Sequence, residues 1–105
     1  MHDVVPPPGS ERAVLVGHVQ RDGADLPRSL EELRRLADTA GAKVLGEIIQ
    51  RRGTIHPAHF LGKGKVLELK DRATELGADL IIFNDDLSPP QVRNLEKMTG
   101  MKVVD

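Results

Sequence analysis

The chain reads as a small α/β domain built on a parallel sheet, and three observations carry that reading. Ala13-Val14-Leu15-Val16 and Leu80-Ile81-Ile82-Phe83 are apolar at every position, the pattern of strands covered on both faces. The segments between and after them have helical apolar spacing. The junction helix, glycine, strand then occurs three times, at Gly41-Ala42, Gly77-Ala78 and Gly100-Met101. Such short joints imply right-handed crossovers and parallel strands between helical layers.

Each element follows from its residues. Residues 1–11, with Pro6-Pro7-Pro8-Gly9, are expected to form a flexible Pro-rich leader, and 12–105 the domain. The first strand is centred on Ala13–Val16. A polar loop, Arg21 to Asp25, follows. Ser29 and Glu32 have capping-box spacing and predict a helix start. Leu30, Leu33, Leu36, Ala37 and Ala40 then recur on one face, and Gly41 closes the helix. Val44–Ile49 is the second strand. A second helix is expected from about Gly64 to Leu76, with Val66, Leu69, Ala73 and Leu76 inward and Gly77 as its stop. Leu80–Phe83 is the third strand. Ser88 caps a third helix, Pro89 fits its first turn and Gln91 completes a capping box. Val92, Leu95 and Met98 face inward, Gly100 ends the helix, and Met101–Val104 begins a fourth strand. The all-apolar first and third strands belong in the centre. The second carries Lys43 and Glu47 and the fourth Lys102, which suits edges. The predicted sheet is four-stranded and mainly parallel, in the order 2-1-3-4, with three helices packed on it.

Composition bounds the function. The 105 residues make one domain. Two Phe, no Trp and no Tyr argue against a base-stacking surface for nucleic acid and predict backbone contact rather than base readout. A net charge of −1 means that any anionic partner must be met by a local basic patch. The absence of cysteine excludes disulfides, thiolate catalysis and Cys-ligated metal. No segment has the length of a membrane span.

Function in a parallel sheet gathers outside the carboxyl ends of the strands. Phe60-Leu61-Gly62-Lys63-Gly64-Lys65 leads into the second helix at that edge. It lacks the glycine spacer and the Ser/Thr after the last lysine that a Walker A loop needs for phosphates and Mg²⁺. Its glycines still allow close backbone approach, and a helix N-terminus favours anions. Arg51, Arg52, Gly62, Lys63, Gly64 and Lys65 are therefore the candidates for phosphate or RNA contact, against the plainer account of a tight turn with solvated lysines. Asp85 and Asp86 offer oxygen ligands for a metal or a nucleotide-bound cation. The plainer and stronger account is that acidic residues ahead of a Ser-capped helix complement its dipole. His56-x-x-His59 has ligand spacing but no third ligand nearby, so solvent-exposed loop histidines are the plainer account. No nucleophile, base and orienting carboxylate can be assembled, so no catalytic residue is assigned.

Taken in order, several segments resemble the N-terminal domain of the HflX family of ribosome-associated GTPases. They are Glu11-Arg12-Ala13-Val14-Leu15-Val16-Gly17, Ser29-Leu30-Glu31-Glu32-Leu33 and Gly46-Glu47-Ile48-Ile49-Gln50-Arg51. Phe60-Leu61-Gly62-Lys63-Gly64-Lys65-Val66 and Gly77-Ala78-Asp79-Leu80-Ile81-Ile82-Phe83-Asn84-Asp85-Asp86-Leu87-Ser88-Pro89 follow, then Gln91 and Arg93-Asn94-Leu95-Glu96. The family's GTPase module and the paired-helix linker are not in this sequence, which suggests a chain cut before them. The resemblance implies a cytoplasmic, GTP-binding protein that binds the large ribosomal subunit and its RNA and splits or rescues ribosomes. GTP and Mg²⁺ would belong to the missing module, with no cofactor in this part and no catalysis by it. A nucleotide-binding or ATP/GTP-hydrolysing domain in its own right is an alternative. Another is a structural domain that packs on and orients its own GTPase module, in which case an uncovered face would drive dimerisation.

Overall fold

The structure, a computed structural model, describes residues 11–19, 26–51 and 55–105. The expected leader and the polar loop at 21–25 lie outside the described residues, apart from Glu11. The elements run β1 (Arg12–Val19), α1 (Leu26–Thr39), β2 (Lys43–Arg51), α2 (Lys63–Leu76), β3 (Leu80–Phe83), α3 (Pro89–Thr99) and β4 (Lys102–Val104). The four strands form one sheet in the order β2-β1-β3-β4, and every pairing is parallel. The expected fold class and strand order are therefore those observed.

Side chains alternate across the sheet as the strand pleat requires. Val14, Val16, Ile81, Phe83 and Val103 point to one face and pack with Val66, Leu69 and Ala73 of α2 and Leu95 of α3. Ala13, Leu15, Leu80 and Ile82 point to the other and meet Leu33 and Ala37 of α1. The topology explains the unequal cover. From β1 the chain crosses to β2 on one side, then reverses and crosses to β3 and β4 on the other. Right-handed crossovers then place α1 alone on one face and α2 with α3 on the opposite one.

That asymmetry corrects the expected inward face of α1. Leu36 has the spacing of an inward residue, yet it is 50% exposed, and Ala40, expected inward with it, is exposed too. Leu36 lines an open groove of about 260 Å³ with Ala40, Leu80, Ile82 and Val104. The single helix on this face leaves the β3–β4 side incompletely covered.

The glycine joints work as read. At Gly41 and Gly77, φ is +75° at both. The following amides of Ala42 and Ala78 donate to the carbonyls of Ala37 and Ala73, at 2.8 and 2.9 Å. Each closes a Schellman turn, for which glycine is the residue without steric cost. The capping box at Ser88 and Gln91 also forms, with Pro89 in the first turn. The capping box at Ser29 does not open α1, because the helix already begins at Leu26. The sequence suits the earlier start, because a proline in a first turn lacks only an N–H that has no intrahelical partner there.

Candidate nucleic-acid interface at the carboxyl edge

The strand order reverses between β1 and β3 while all strands stay parallel, and in such sheets the crevice at that point is the usual binding position. Here Asn84, just beyond β3, bridges the two strand ends. Its side-chain oxygen accepts from the His18 amide at 3.3 Å, and its own amide donates to the Val16 carbonyl at 3.2 Å.

Beside this crevice lies the described part of the β2–α2 connection, residues 55–62, which several hydrogen bonds hold. His56 and Phe60 exchange both backbone hydrogen bonds at 2.8 Å. Phe60 sits at φ +64°, the one described non-glycine residue with positive φ. That backbone costs about 1–2 kcal/mol for an L-residue. Burial of the ring offsets it: Phe60 is 4% exposed, with edge-on contacts to Phe83 at 5.8 Å and His18 at 5.6 Å. Helix α3 supplies two further ties. The side-chain amide of Gln91 donates to the His56 carbonyl at 3.0 Å, and that of Asn94 to the Ala58 carbonyl at 2.8 Å. The turn is thus fixed from the core below and from a neighbouring helix.

The turn delivers the chain into α2 at Gly62. This N-cap is extended, with φ −63° and ψ 154°, and offers no side-chain acceptor to the first helical amides. Gly62 and Gly64 are exposed, and a Cβ built on either would meet nothing within 4 Å. Neither glycine is demanded by packing. Their smallness leaves the backbone approachable, as an anion contact at a helix N-terminus requires.

The candidate cations do not behave alike. Arg51 is exposed at the end of β2, and Lys63 is exposed at the first position of α2. Lys65 turns away to pair with Glu68 at 2.7 Å. It lines a cleft of about 270 Å³ against β2 with Glu47, Ile48 and Arg72. Arg52 lies outside the described residues. Asp86 is exposed and Asp85 half-buried on the β3–α3 loop. That loop is tied to the end of β4 by the Leu87 amide, which donates to Asp105 Oδ2 at 2.7 Å. Among the described residues no group of three or more His, Cys, Asp or Glu could hold a metal ion.

Three features escaped the sequence reading. His56 and His59 are stacked face to face, with centroids 3.8 Å apart and planes at 11°. Gln91 reaches beyond its capping box to the His56 carbonyl, and Asn94 has no recognisable motif. The His-x-x-His spacing was the one visible signal, and with no third ligand nearby it read as two exposed loop histidines rather than a ring pair.

Fold and edge together define a small three-layer α/β domain with parallel strands and a mixed-charge carboxyl edge. Residues 27–105 match the family described as GTP-binding GTPase N-terminal. The chain belongs to that family, the N-terminal domain of HflX-type GTPases. It is 48% identical over 95 residues to GTPase HflX of Lacrimispora saccharolytica, covering 90% of this chain and 22% of that protein. GTPase HflX of Caldanaerobacter subterraneus is 44% identical with the same two coverages. That of Escherichia coli is 36% identical, again over 90% of this chain and 22% of the relative. The chain thus spans about a fifth of the length of the relatives it matches.

Proposed function

We propose that this domain is the RNA-contacting, regulatory module of a longer HflX-type GTPase that acts on the large ribosomal subunit in the cytoplasm. In that reading ribosomal RNA is its partner. GTP and Mg²⁺ are held by the part of the longer protein that this chain does not include. The family membership supports the link to a GTPase. Among the described residues, no helix is long and apolar enough to cross a membrane.

The observation that carries the site assignment is the exposed Lys63 on the uncapped start of α2, with exposed Arg51 at the same sheet edge. Positive side chains and free helical amides are the groups that contact phosphates, and they do so without reading sequence. Gly62 and Gly64 let a phosphate come close to the backbone. Lys65 contributes less, because contact would require it to leave Glu68.

Co-sedimentation of the chain with purified large subunits tests this. Binding at low salt is expected, with Lys63→Ala weakening it more than Lys65→Ala. A Lys63→Ala/Lys65→Ala double variant that pellets like the parent removes the site assignment.

The groove beside Leu36 favours a second reading, in which the α1 face packs on and orients the GTPase module of the longer protein. An uncovered apolar groove should then make the isolated chain dimerise at high concentration, and Leu36→Asp should return it to monomer. Light scattering that finds only monomer for the parent chain removes this support.

A further inference from the structure

We infer that the stacked His56–His59 pair is a platform for an unpaired RNA base, so that the carboxyl edge takes single-stranded RNA. This rests on the RNA-contacting reading above and gives it a substrate class. Three observations lead to it. First, the two rings lie nearly parallel with centroids 3.8 Å apart, and His56 is exposed, which makes its outer face the candidate stacking surface. Second, the rings are oriented by the turn itself. His56 Nδ1 accepts from the Ala58 amide at 3.0 Å, and His59 Nδ1 bonds the Leu61 carbonyl. The backbone of that turn is held in turn by Gln91 and Asn94. A loop tip is ordinarily among the more mobile parts of a fold. Here it is fixed by bonds from a separate helix, so little ordering remains to be done when a base lands on it.

Third, the platform immediately precedes Lys63 and the uncapped amides of α2. One element therefore offers a π-face for a base and a cationic, amide-rich end for the adjoining phosphate. That combination is how single strands are held without sequence preference, and imidazole is among the side chains that stack on bases. The same geometry speaks against chelation by this pair. Two imidazoles that share a metal point their nitrogens at it from different directions, whereas these rings overlap face to face. A duplex cannot use the platform, because its bases are already stacked inside the helix.

The test is fluorescence anisotropy with the 105-residue chain and three labelled RNAs: a twelve-nucleotide single strand, the same backbone with abasic residues, and a duplex of equal length. The single strand should bind more tightly than either of the others. His56→Ala should weaken single-strand binding about 5- to 150-fold, the usual range for losing one stacked base, and leave abasic binding unchanged. His56→Phe also loses the Ala58 bond but keeps a flat ring, so it should restore single-strand affinity. Circular dichroism confirms that each variant is folded. Equal affinity for the intact and abasic strands, or a His56→Ala effect of the same size on both, overturns the platform while leaving phosphate contact standing. Absence of binding to all three RNAs overturns the platform and the RNA-contacting reading together.

Discussion

Gln91 joins the fold to the candidate site, and its removal has a cost that can be worked from its bonds. Its side chain is 8% exposed. The side-chain oxygen accepts from the Ser88 amide at 2.8 Å, and the nitrogen donates to the His56 carbonyl at 3.0 Å. Gln91→Ala removes both bonds, each worth about 0.5–1.5 kcal/mol net. It also removes one buried methylene, worth about 0.8 kcal/mol. Neither partner is left stranded: the His56 carbonyl keeps the Phe60 amide, and Ser88 is exposed to water. The penalty for an orphaned polar group therefore does not apply, and the expected loss is about 2–4 kcal/mol. For a domain of this size that lowers Tm by roughly 10–20 °C. Urea and thermal unfolding followed by circular dichroism measure it. Asn94→Ala, which removes one bond to the same turn, should cost about 1 kcal/mol. The double variant should depart from the sum of the two, because both ties hold one element. A loss below about 0.5 kcal/mol for Gln91→Ala would refute the claim that α3 fixes the turn.

Other substitutions separate backbone freedom from packing. Gly100 lies at φ +72° with open space around it, so Gly100→Ala should destabilise by about 1–2 kcal/mol through conformation alone. Gly64→Ala, in a helix and equally open, should instead stabilise by up to about 1 kcal/mol, while weakening RNA contact at the α2 start. Matched melts of the two variants check the opposite signs. Calorimetry with Mg-ATP and Mg-GTP should give no heat with this chain; saturable heat would favour nucleotide binding by the domain itself.

Much of the fold was legible because its signals were local. Two all-apolar strands placed the sheet centre, and charged Lys43 and Lys102 placed its edges. Glycines at left-handed positions and the Ser88–Gln91 box then fixed the joints. What was not legible depended on contacts distant in sequence. The inward spacing of Leu36 could not reveal that one helix covers a face where two would be needed to close it. The Ser29 motif gave way to an earlier start, which a proline at position 27 suits. At the site, the glycine-lysine stretch and its edge were readable. The diversion of Lys65 to Glu68, the positive φ of Phe60 and the stacking of His56 on His59 depend on the folded turn, which Gln91 and Asn94 set from more than thirty residues away.

The salt dependence of binding to large ribosomal subunits tests the central claim most directly, measured for the parent chain and for Lys63→Ala and Arg51→Ala. Phosphate contact predicts that log K falls linearly with log salt, and that each substitution reduces the slope by about 1. Binding with the same slope in all three proteins, or no binding at the lowest salt, would contradict the account of this edge as an RNA-docking surface.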